Sequence, residues 1–334
     1  MFNWTLKEIE LPLKFTWNIS RNSSDIKRNF IVEVRNGSFS GMGEVAFNVR
    51  YQESRELIIE KFEEFKNEAA NVEFNGIESL VAFLDKLEIP QSLKFGIESS
   101  FVHYVAKLSG KTVPQLLGTN TVSSVKTSFS IPIMEIGKVE EFIRLNNLQR
   151  FSVIKIKVNK ENALDFSKEI LRLTNVPLRI DANEAFQSTD EVMNFLNAFP
   201  ELKRIDFLEQ PLPASFHEEA LELKKHSPVI LIADESVTKE DIGSYYPERF
   251  HGVNIKLMKS GGYLKGLKQL RQAKILGLKT MLGCMVETSL GISSALQIAG
   301  GVDYFDLDGF LLIKNDPYNA LIEENGKIFF NFIQ

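Results

Sequence analysis

Three carboxylates, Asp181, Glu209 and Asp234, each close a short apolar or β-rich run, and each is separated from the next by about one strand-plus-helix unit. That spacing predicts one cation site built by three consecutive strands. Ligation by carboxylate oxygens alone, with no His or Cys in the set, favours Mg²⁺ over zinc, with Mn²⁺ as a substitute. Lys155 and Lys157 lie one unit earlier, in Phe151-Ser-Val-Ile-Lys-Ile-Lys-Val158, and Lys256 lies one unit later, in Val253-Asn-Ile-Lys-Leu257. Carboxylates hold a hard cation, and lysines beside it can move protons.

For any one of these acids alone, a helix N-cap or a solvated loop charge is the simpler explanation. Together they need three acids in register at strand ends, with lysines on both flanking units. A (β/α)8 barrel provides that register, because its strands all end at one face and residues far apart in sequence converge there. The local context agrees. Leu178-Arg-Ile-Asp181-Ala-Asn, Ile205-Asp-Phe-Leu-Glu209-Gln-Pro and Val229-Ile-Leu-Ile-Ala-Asp234-Glu-Ser are apolar runs bounded by turn formers, as buried parallel strands are.

The elements that carry these residues follow from the hydrophobic pattern. Residues 1 to about 50 alternate as strands, and helical spacing follows at Ser54–Asn67, Gly76–Leu87 and Ser92–Leu108, which predicts an α+β capping domain over residues 1–120. Gly41-Met-Gly43-Glu lacks the third glycine and the βαβ setting of a dinucleotide fingerprint and reads as a bend in a strand. Short apolar strands then alternate with amphipathic helices over residues 121–315, the signature of parallel βα units. Eight strands are predicted: Lys126–Ile133, Ser152–Val158, Pro177–Asp181, Arg204–Glu209, Val229–Asp234, Gly252–Leu257, Lys279–Gly283 and Tyr304–Leu307. The fold class is α/β, a (β/α)8-type modified TIM barrel with an N-terminal capping domain. A last segment, 316–334, holds a turn between strand-like pieces and is expected to pack back on the capping domain.

A chain of 334 residues with 44% hydrophobic content can bury the core of such a pair of domains. Its net charge of −5, with scattered signs, leaves no basic stripe and argues against nucleic acid as a partner. No stretch approaches the ~18 uncharged apolar residues of a membrane span, and a single cysteine, Cys284, fits a reducing compartment. A soluble, cytoplasmic protein is expected. Barrels of this kind often associate, so a homo-oligomer is compatible with the sequence.

With Lys155-Ile-Lys157, Asp181-Ala-Asn183, Glu209-Gln-Pro211, Asp234-Glu-Ser236 and Lys256 followed by Lys259-Ser-Gly-Gly262 in view, the chain resembles the enolase superfamily over essentially its whole length. Within its muconate-lactonising branch it is most similar to the dipeptide epimerases. Such sites use a Lys or His base with one or two Mg²⁺ ions. The resemblance implies that Lys157 and Lys256 face each other across the barrel mouth as acid/base pair, and that Lys155 binds the substrate carboxylate. For a lysine to act as base it must be neutral, and neighbouring positive charge lowers its pKa towards the working pH.

What marks the subgroup is an acid-x-acid pair on the eighth strand, and here Asp306-Leu-Asp308 stands in that place. Strand alternation puts both acids on one side, where they could grip the ammonium group of a dipeptide. The resemblance further implies substrate contacts from Ser130 and from Cys284 in Gly283-Cys-Met-Val-Glu-Thr-Ser289, where Glu287 either hydrogen-bonds within the site or caps the next helix. It also implies a mobile lid at Phe15–Ser24, polar and flexible, that sets side-chain specificity. There Arg21 either pairs with an acidic side chain or is solvated, while Phe15 and Trp17 suit an apolar one.

The activity implied is Mg²⁺-dependent inversion of the C-terminal residue of an L-Ala-Xaa dipeptide by 1,1-proton transfer through an enediolate, with peptidoglycan peptide recycling as context. An o-succinylbenzoate synthase, an N-acylamino acid racemase or a muconate-type cycloisomerase would share the metal set and the lysines. The acid pair argues for the dipeptide, and the two lysines argue against a barrel that only binds a ligand.

Overall fold

The computed structural model describes residues 2–19 and 22–331. The chain opens with an antiparallel sheet, β1 (Asn3–Ile19), β2 (Asn22–Asn36) and β3 (Phe39–Val45), ordered β1-β2-β3. Trp4, Phe30, Val32 and Val34 turn into the core from it, as period-two alternation dictates. Three helices cover that face: α1 (Arg55–Glu68), α2 (Ile77–Leu84) and α3 (Gln91–Ser109). The first starts where the Ser54 side chain accepts the Leu57 N–H, and it buries Ile58, Phe62 and Phe65, one stripe of its surface.

Gly41 and Gly43 do not bend β3, as expected from sequence, but lie in its regular ladder with β2. Their role is close approach. A Cβ at Gly41 would stand 2.0 Å from the Ser100 carbonyl oxygen, and one at Gly43 would stand 2.2 Å from that of Gly96. Bare backbone therefore lets α3 lie directly on the sheet.

The opposite side of α3 meets the barrel, so this helix is buried almost all round. There Glu98 accepts the Leu264 N–H (3.0 Å) at the start of the helix Tyr263–Ile275. Burial pushes its carboxyl up to about 8, against the pull of the Leu264 and Tyr263 amides. A carboxyl raised above its unfolded value of 4.5 binds more protons in the fold than in the unfolded chain. It favours the fold below pH 4.5, and that advantage is lost as pH rises through 8. Glu98→Gln is therefore expected to flatten the decline of stability between pH 5 and 8 by up to one proton, about 1.4 kcal/mol per pH unit. Urea unfolding midpoints across that range measure it, and equal slopes for both proteins would refute the assignment.

β4 (Ser124–Lys126) is followed by eight parallel strands: β5 (Phe129–Ile131), β6 (Ile154–Lys157), β7 (Leu178–Asp181), β8 (Ile205–Glu209), β9 (Leu231–Ala233), β10 (Gly252–Ile255), β11 (Lys279–Gly283) and β12 (Tyr304–Asp306). They pair in sequence order into a nearly closed barrel. Crossover helices wrap it. Ala163–Leu173, for example, buries Ala163, Phe166, Ser167, Ile170 and Leu171, a helical stripe. Between β12 and β5 side chains replace a backbone ladder: Ser128 Oγ donates to Asp306 Oδ1 (2.8 Å), Ser130 N to Asp308 Oδ2 (2.5 Å), and Leu307 N to Thr127 Oγ1 (2.9 Å).

One expected strand is corrected here. The first predicted barrel strand, Lys126–Ile133, is two elements, of which only β5 joins the barrel. β4 instead pairs antiparallel with β14 (Lys327–Phe330), itself paired with β13 (Leu321–Glu324). The tail thus pairs beside the entry to the barrel, through β4 and through Arg150, whose guanidinium holds Glu323 (2.8 Å). One hydrophobic core runs unbroken from Trp4 to Ile328. No helix among the described residues is long and apolar enough to cross a membrane.

Candidate active site

The strand ends of the barrel and the underside of the N-terminal sheet enclose a cavity of 680 Å³. Into it open Ser130, Lys155, Lys157, Asp234, Lys256, Cys284, Asp306 and Asp308, eight of the residues singled out from sequence. Asp181 and Glu209 lie fully buried beneath it. Arg21, the remaining candidate, lies outside the described residues.

Register explains the convergence. Lys157, Asp181 and Glu209 are cross-strand neighbours in the β6–β7–β8 ladder. Asp234 follows the last residue of β9, and Lys256 the last of β10. Lys155 and Lys157 alternate inward on β6 while Ile154 and Ile156 pack into the core.

The charges are interleaved. Lys155, 1% exposed, places Nζ 2.9 Å from Asp181 Oδ2, 2.8 Å from Glu209 Oε2 and 2.7 Å from Asp306 Oδ2. Lys157 Nζ donates to Asp181 Oδ2 (2.7 Å), and Asp234 lies between Lys256 (2.9 Å) and Lys259 (2.7 Å). Burial alone would lower the pKa of Lys155 and Lys256. For Lys155 the fields of Asp181, Asp306, Glu209 and Asp234 prevail, and for Lys256 chiefly that of Asp234, so both stay well above the ordinary value. In this arrangement the buried acids hold Lys155 and Lys256 as ammonium groups.

The acids divide by their surroundings. Burial opposes ionisation of Asp181 and Asp234, yet their lysines hold both well below the usual range. Glu209 is raised to about 7 by burial and by the charges of Asp181 and Asp234. Its Oε1 accepts from Asn254 Nδ2 (2.9 Å). Its Oε2, although 2.8 Å from Lys155 Nζ, is buried without a hydrogen bond of proper geometry. Asp306 is held down by Lys155, whereas Asp308 rises to about 7 through burial and the charge of Asp306.

As they stand, no three of these carboxylates are gathered in metal-holding geometry among the described residues, because lysine ammonium groups sit between them. The donor set nonetheless suits a hard divalent cation. It consists of three buried carboxylates from adjacent strands, one with an oxygen lacking any hydrogen bond, and no imidazole or thiolate.

The residues that brace this set drew no role from sequence. Gln210 accepts the amides of Asp234 (3.0 Å) and Ser236 (3.1 Å) on Oε1 and donates through Nε2 to Leu212 O and Ser236 Oγ, tying the end of β8 to that of β9. It does so from a left-handed backbone, φ +36°, as Asn183 and Glu184 do at the end of β7. Asn254 reaches Glu209 because Gly283 leaves the space. A Cβ there would stand 2.5 Å from Asn254 Oδ1. Asn254 was findable, since it precedes Lys256 by two on one strand and must share its inward side. Lys259 stood inside a quoted motif. Arg50, by contrast, arrives from the 3-10 turn Val49–Tyr51 to grip Glu184, and only tertiary packing brings it there.

Among the weaker candidates, Ser130 is a buried link between β5 and the eighth-strand acids and not a surface hydroxyl. The Cys284 thiol is pushed well up by burial and by Asp308, Glu287 and Asp306, which leaves no thiolate nucleophile. Glu287 accepts the Met285 N–H (2.8 Å), and Thr288 is the one that caps the helix Ser289–Gln297. The expected lid is mostly paired strand, Trp17 opposite Ser24 and Asn18 opposite Ser23, past an irregularity after Pro12. The strand leading into it is tied to the barrel side by Lys14 N to Leu312 O (2.9 Å) and Lys314 N to Pro12 O (2.8 Å), and within it Asn18 O accepts from Ile133 N (3.0 Å). Phe15 packs edge-on to Phe142, and the Trp17 ring lies 5.9 Å from Lys157 Nζ. Aromatic packing and cross-strand pairing place this ribbon over the barrel.

Residues 138–320 match the family described as enolase C-terminal domain-like. The chain is 34% identical over 330 residues to the L-Ala-D/L-amino acid epimerase of a Maribacter species, covering 98% of this chain and 96% of that one. Among solved structures it is similar to an enolase family member from Agrobacterium tumefaciens, described as having homology to dipeptide epimerases and as binding sodium and L-Ala-L-Glu (27% identity, TM-score 0.87, 99% and 98% coverage). A dipeptide epimerase from Methylococcus capsulatus, complexed with Mg and L-Arg-D-Lys, shares the fold (24% identity, TM-score 0.87, 98% and 96% coverage).

Proposed function

The chain belongs to the enolase C-terminal domain-like family, whose matching relatives are epimerases and racemases, and from that premise we propose that it is a dipeptide epimerase. It inverts the α-carbon of the C-terminal residue of an L-Ala-Xaa-type dipeptide in the cytoplasm. The observation that carries this reading is the placement of Lys157 on the second barrel strand and Lys256 just after the sixth, four strands apart around one cavity, with Asp306 and Asp308 on its wall.

In this reading Lys157 and Lys256 serve opposite faces of the α-carbon. The one that is neutral accepts the α-proton and the other, an ammonium, delivers a proton to the far face, so the configuration inverts by 1,1-transfer through an enediolate. Lys155 stabilises charge on the substrate carboxylate as the proton leaves. Asp306 and Asp308 hold the ammonium of the amino-terminal residue, drawing Asp306 away from Lys155. Asp181, Glu209 and Asp234 would hold Mg²⁺, or Mn²⁺ in its stead, which when bound supplies Lewis-acid stabilisation of the same carboxylate. Asn254 and Gln210 keep that set in position.

The test is proton NMR of L-Ala-L-Xaa dipeptides in D₂O with Mg²⁺. Loss of the α-proton of the second residue together with growth of the L,D diastereomer is the expected result. Turnover of N-acylamino acids or cyclohexadiene carboxylates with no dipeptide turnover would overturn it in favour of a sister activity.

A further inference from the structure

Three cations of the N-terminal part of the chain line the cavity: Lys27, Arg28 and Arg50. Two are taken. Arg28 pairs with Glu10 at 2.9 Å in an exposed position, and Arg50 spans both oxygens of Glu184. Lys27 has no carboxylate within ion-pairing distance among the described residues. Its Nζ donates to the Phe47 carbonyl oxygen (2.7 Å) and lies 5.0 Å from the centre of the Phe47 ring. An ammonium carries three N–H donors, and one is accounted for. Burial lowers the pKa of Lys27, and the carboxylates that oppose this from further away, Glu53, Glu287 and Glu44, are buried and are themselves pushed towards protonation.

Its position on β2 is informative. Asn29, two residues on and so on the same face, donates to the Val286 carbonyl oxygen (3.0 Å) in the loop after β11. Asn48, next to Phe47, reaches Met285 of the same loop (3.8 Å, Nδ2 to Sδ). Lys27 therefore faces the segment that follows the seventh barrel strand, across a space bordered by Phe47, Val286 and Met285. Apolar walls ending in a cation with spare donors suit a side chain with a short aliphatic stem and a terminal carboxylate.

We propose that Lys27 determines specificity for the C-terminal residue of the dipeptide and selects an acidic one, glutamate or aspartate. This rests on the dipeptide-epimerase reading and deepens it. It also fills from the described β2 strand the part left open for Arg21.

The experiment follows α-proton exchange in D₂O for L-Ala-L-Glu, L-Ala-L-Leu and L-Ala-L-Lys with the full-length wild type and with Lys27→Met, Lys27→Arg and Lys27→Glu. The wild type is expected to prefer L-Ala-L-Glu. In K27M, kcat/KM for that substrate should fall about 10- to 100-fold, the range of a lost charge-assisted hydrogen bond, mostly through KM. L-Ala-L-Leu should lose far less, K27R should retain part of the preference, and K27E should shift it to L-Ala-L-Lys. An equal fall for all three substrates in K27M would reduce Lys27 to a structural tie to Phe47 and overturn the proposal. So would a wild type that turns over L-Ala-L-Leu but not L-Ala-L-Glu, and in that case the epimerase reading stands. If the wild type exchanges no dipeptide, the epimerase reading falls and this proposal falls with it.

Discussion

Lys256→Met is expected to lower epimerisation by about 10³-fold, within the range of a lost general acid or base, while leaving α-proton exchange intact for one diastereomer of the substrate. The reason is geometric. If Lys157 and Lys256 address opposite faces, each diastereomer presents its α-proton to only one of them. Without Lys256, the isomer facing Lys157 still loses its proton and regains a solvent deuteron from the same side, so it exchanges without inverting. Lys157→Met should show the mirror pattern, with exchange surviving in the other isomer. NMR of both purified diastereomers in D₂O reads all four combinations. A single lysine variant that still epimerises at the wild-type rate would refute two-sided transfer. Lys256 also helps hold Asp234, so melting temperatures should accompany the kinetics. Lys259 remains on Asp234 Oδ1 in the variant, and the fold is expected to survive.

Glu209→Gln is expected to remove Mg²⁺ binding with little change of shape. One carboxylate oxygen accepts from Asn254, and an amide oxygen can take over that bond. What is lost is the second charged oxygen, the one with no hydrogen bond of its own in the present arrangement. Loss of even a supporting partner in a metal site typically costs 10- to 100-fold in affinity or activity, and loss of a ligand should cost about 100-fold or more. A ligand that binds only the folded state stabilises it by about 4 kcal/mol at a thousand times its dissociation constant. Wild-type melting should therefore rise with Mg²⁺, and E209Q should not respond at the same concentrations. Calorimetric titration gives the affinity directly. Equal Mg²⁺ binding by both proteins would show that the ion, if held, is held elsewhere.

Much of this arrangement was legible in the sequence because parallel barrel strands are short, buried on both sides and end in step. Asp181, Glu209, Lys155 and Lys157 lie where the alternation and the strand ends put them, and α1 to α3 fall within a residue or three of their expected bounds. Non-local pairing was harder to read. Lys126 reads as the start of a barrel strand because it runs into Phe129-Ser-Ile131, but its ladder partner, Lys327, lies some 200 residues later in the chain. The outer part of the β1–β2 ribbon reads as a polar loop because Asn22-Ser-Ser-Asp25 is polar throughout, although Phe15 and Trp17 alternate on one face and Trp17 pairs across it with Ser24 as strand. Charge state was the least legible property. Local sequence places Lys155 beside Lys157, while the acids that fix its protonation come from four other strand ends.

Asp306 and Asp308 also bear on how this site can change. The same two carboxylates that would grip the substrate ammonium take hydrogen bonds from Ser128 and Ser130 where the barrel lacks a backbone ladder. They are the stitches of its one open seam. A chain that altered its taste for the amino-terminal residue by editing these acids would loosen the cylinder with the same mutation. The cap strands carry no such double duty, since Lys27 closes no part of the barrel. Evolutionary drift in substrate range should therefore be cheap at the carboxy-terminal side chain and expensive at the amino terminus.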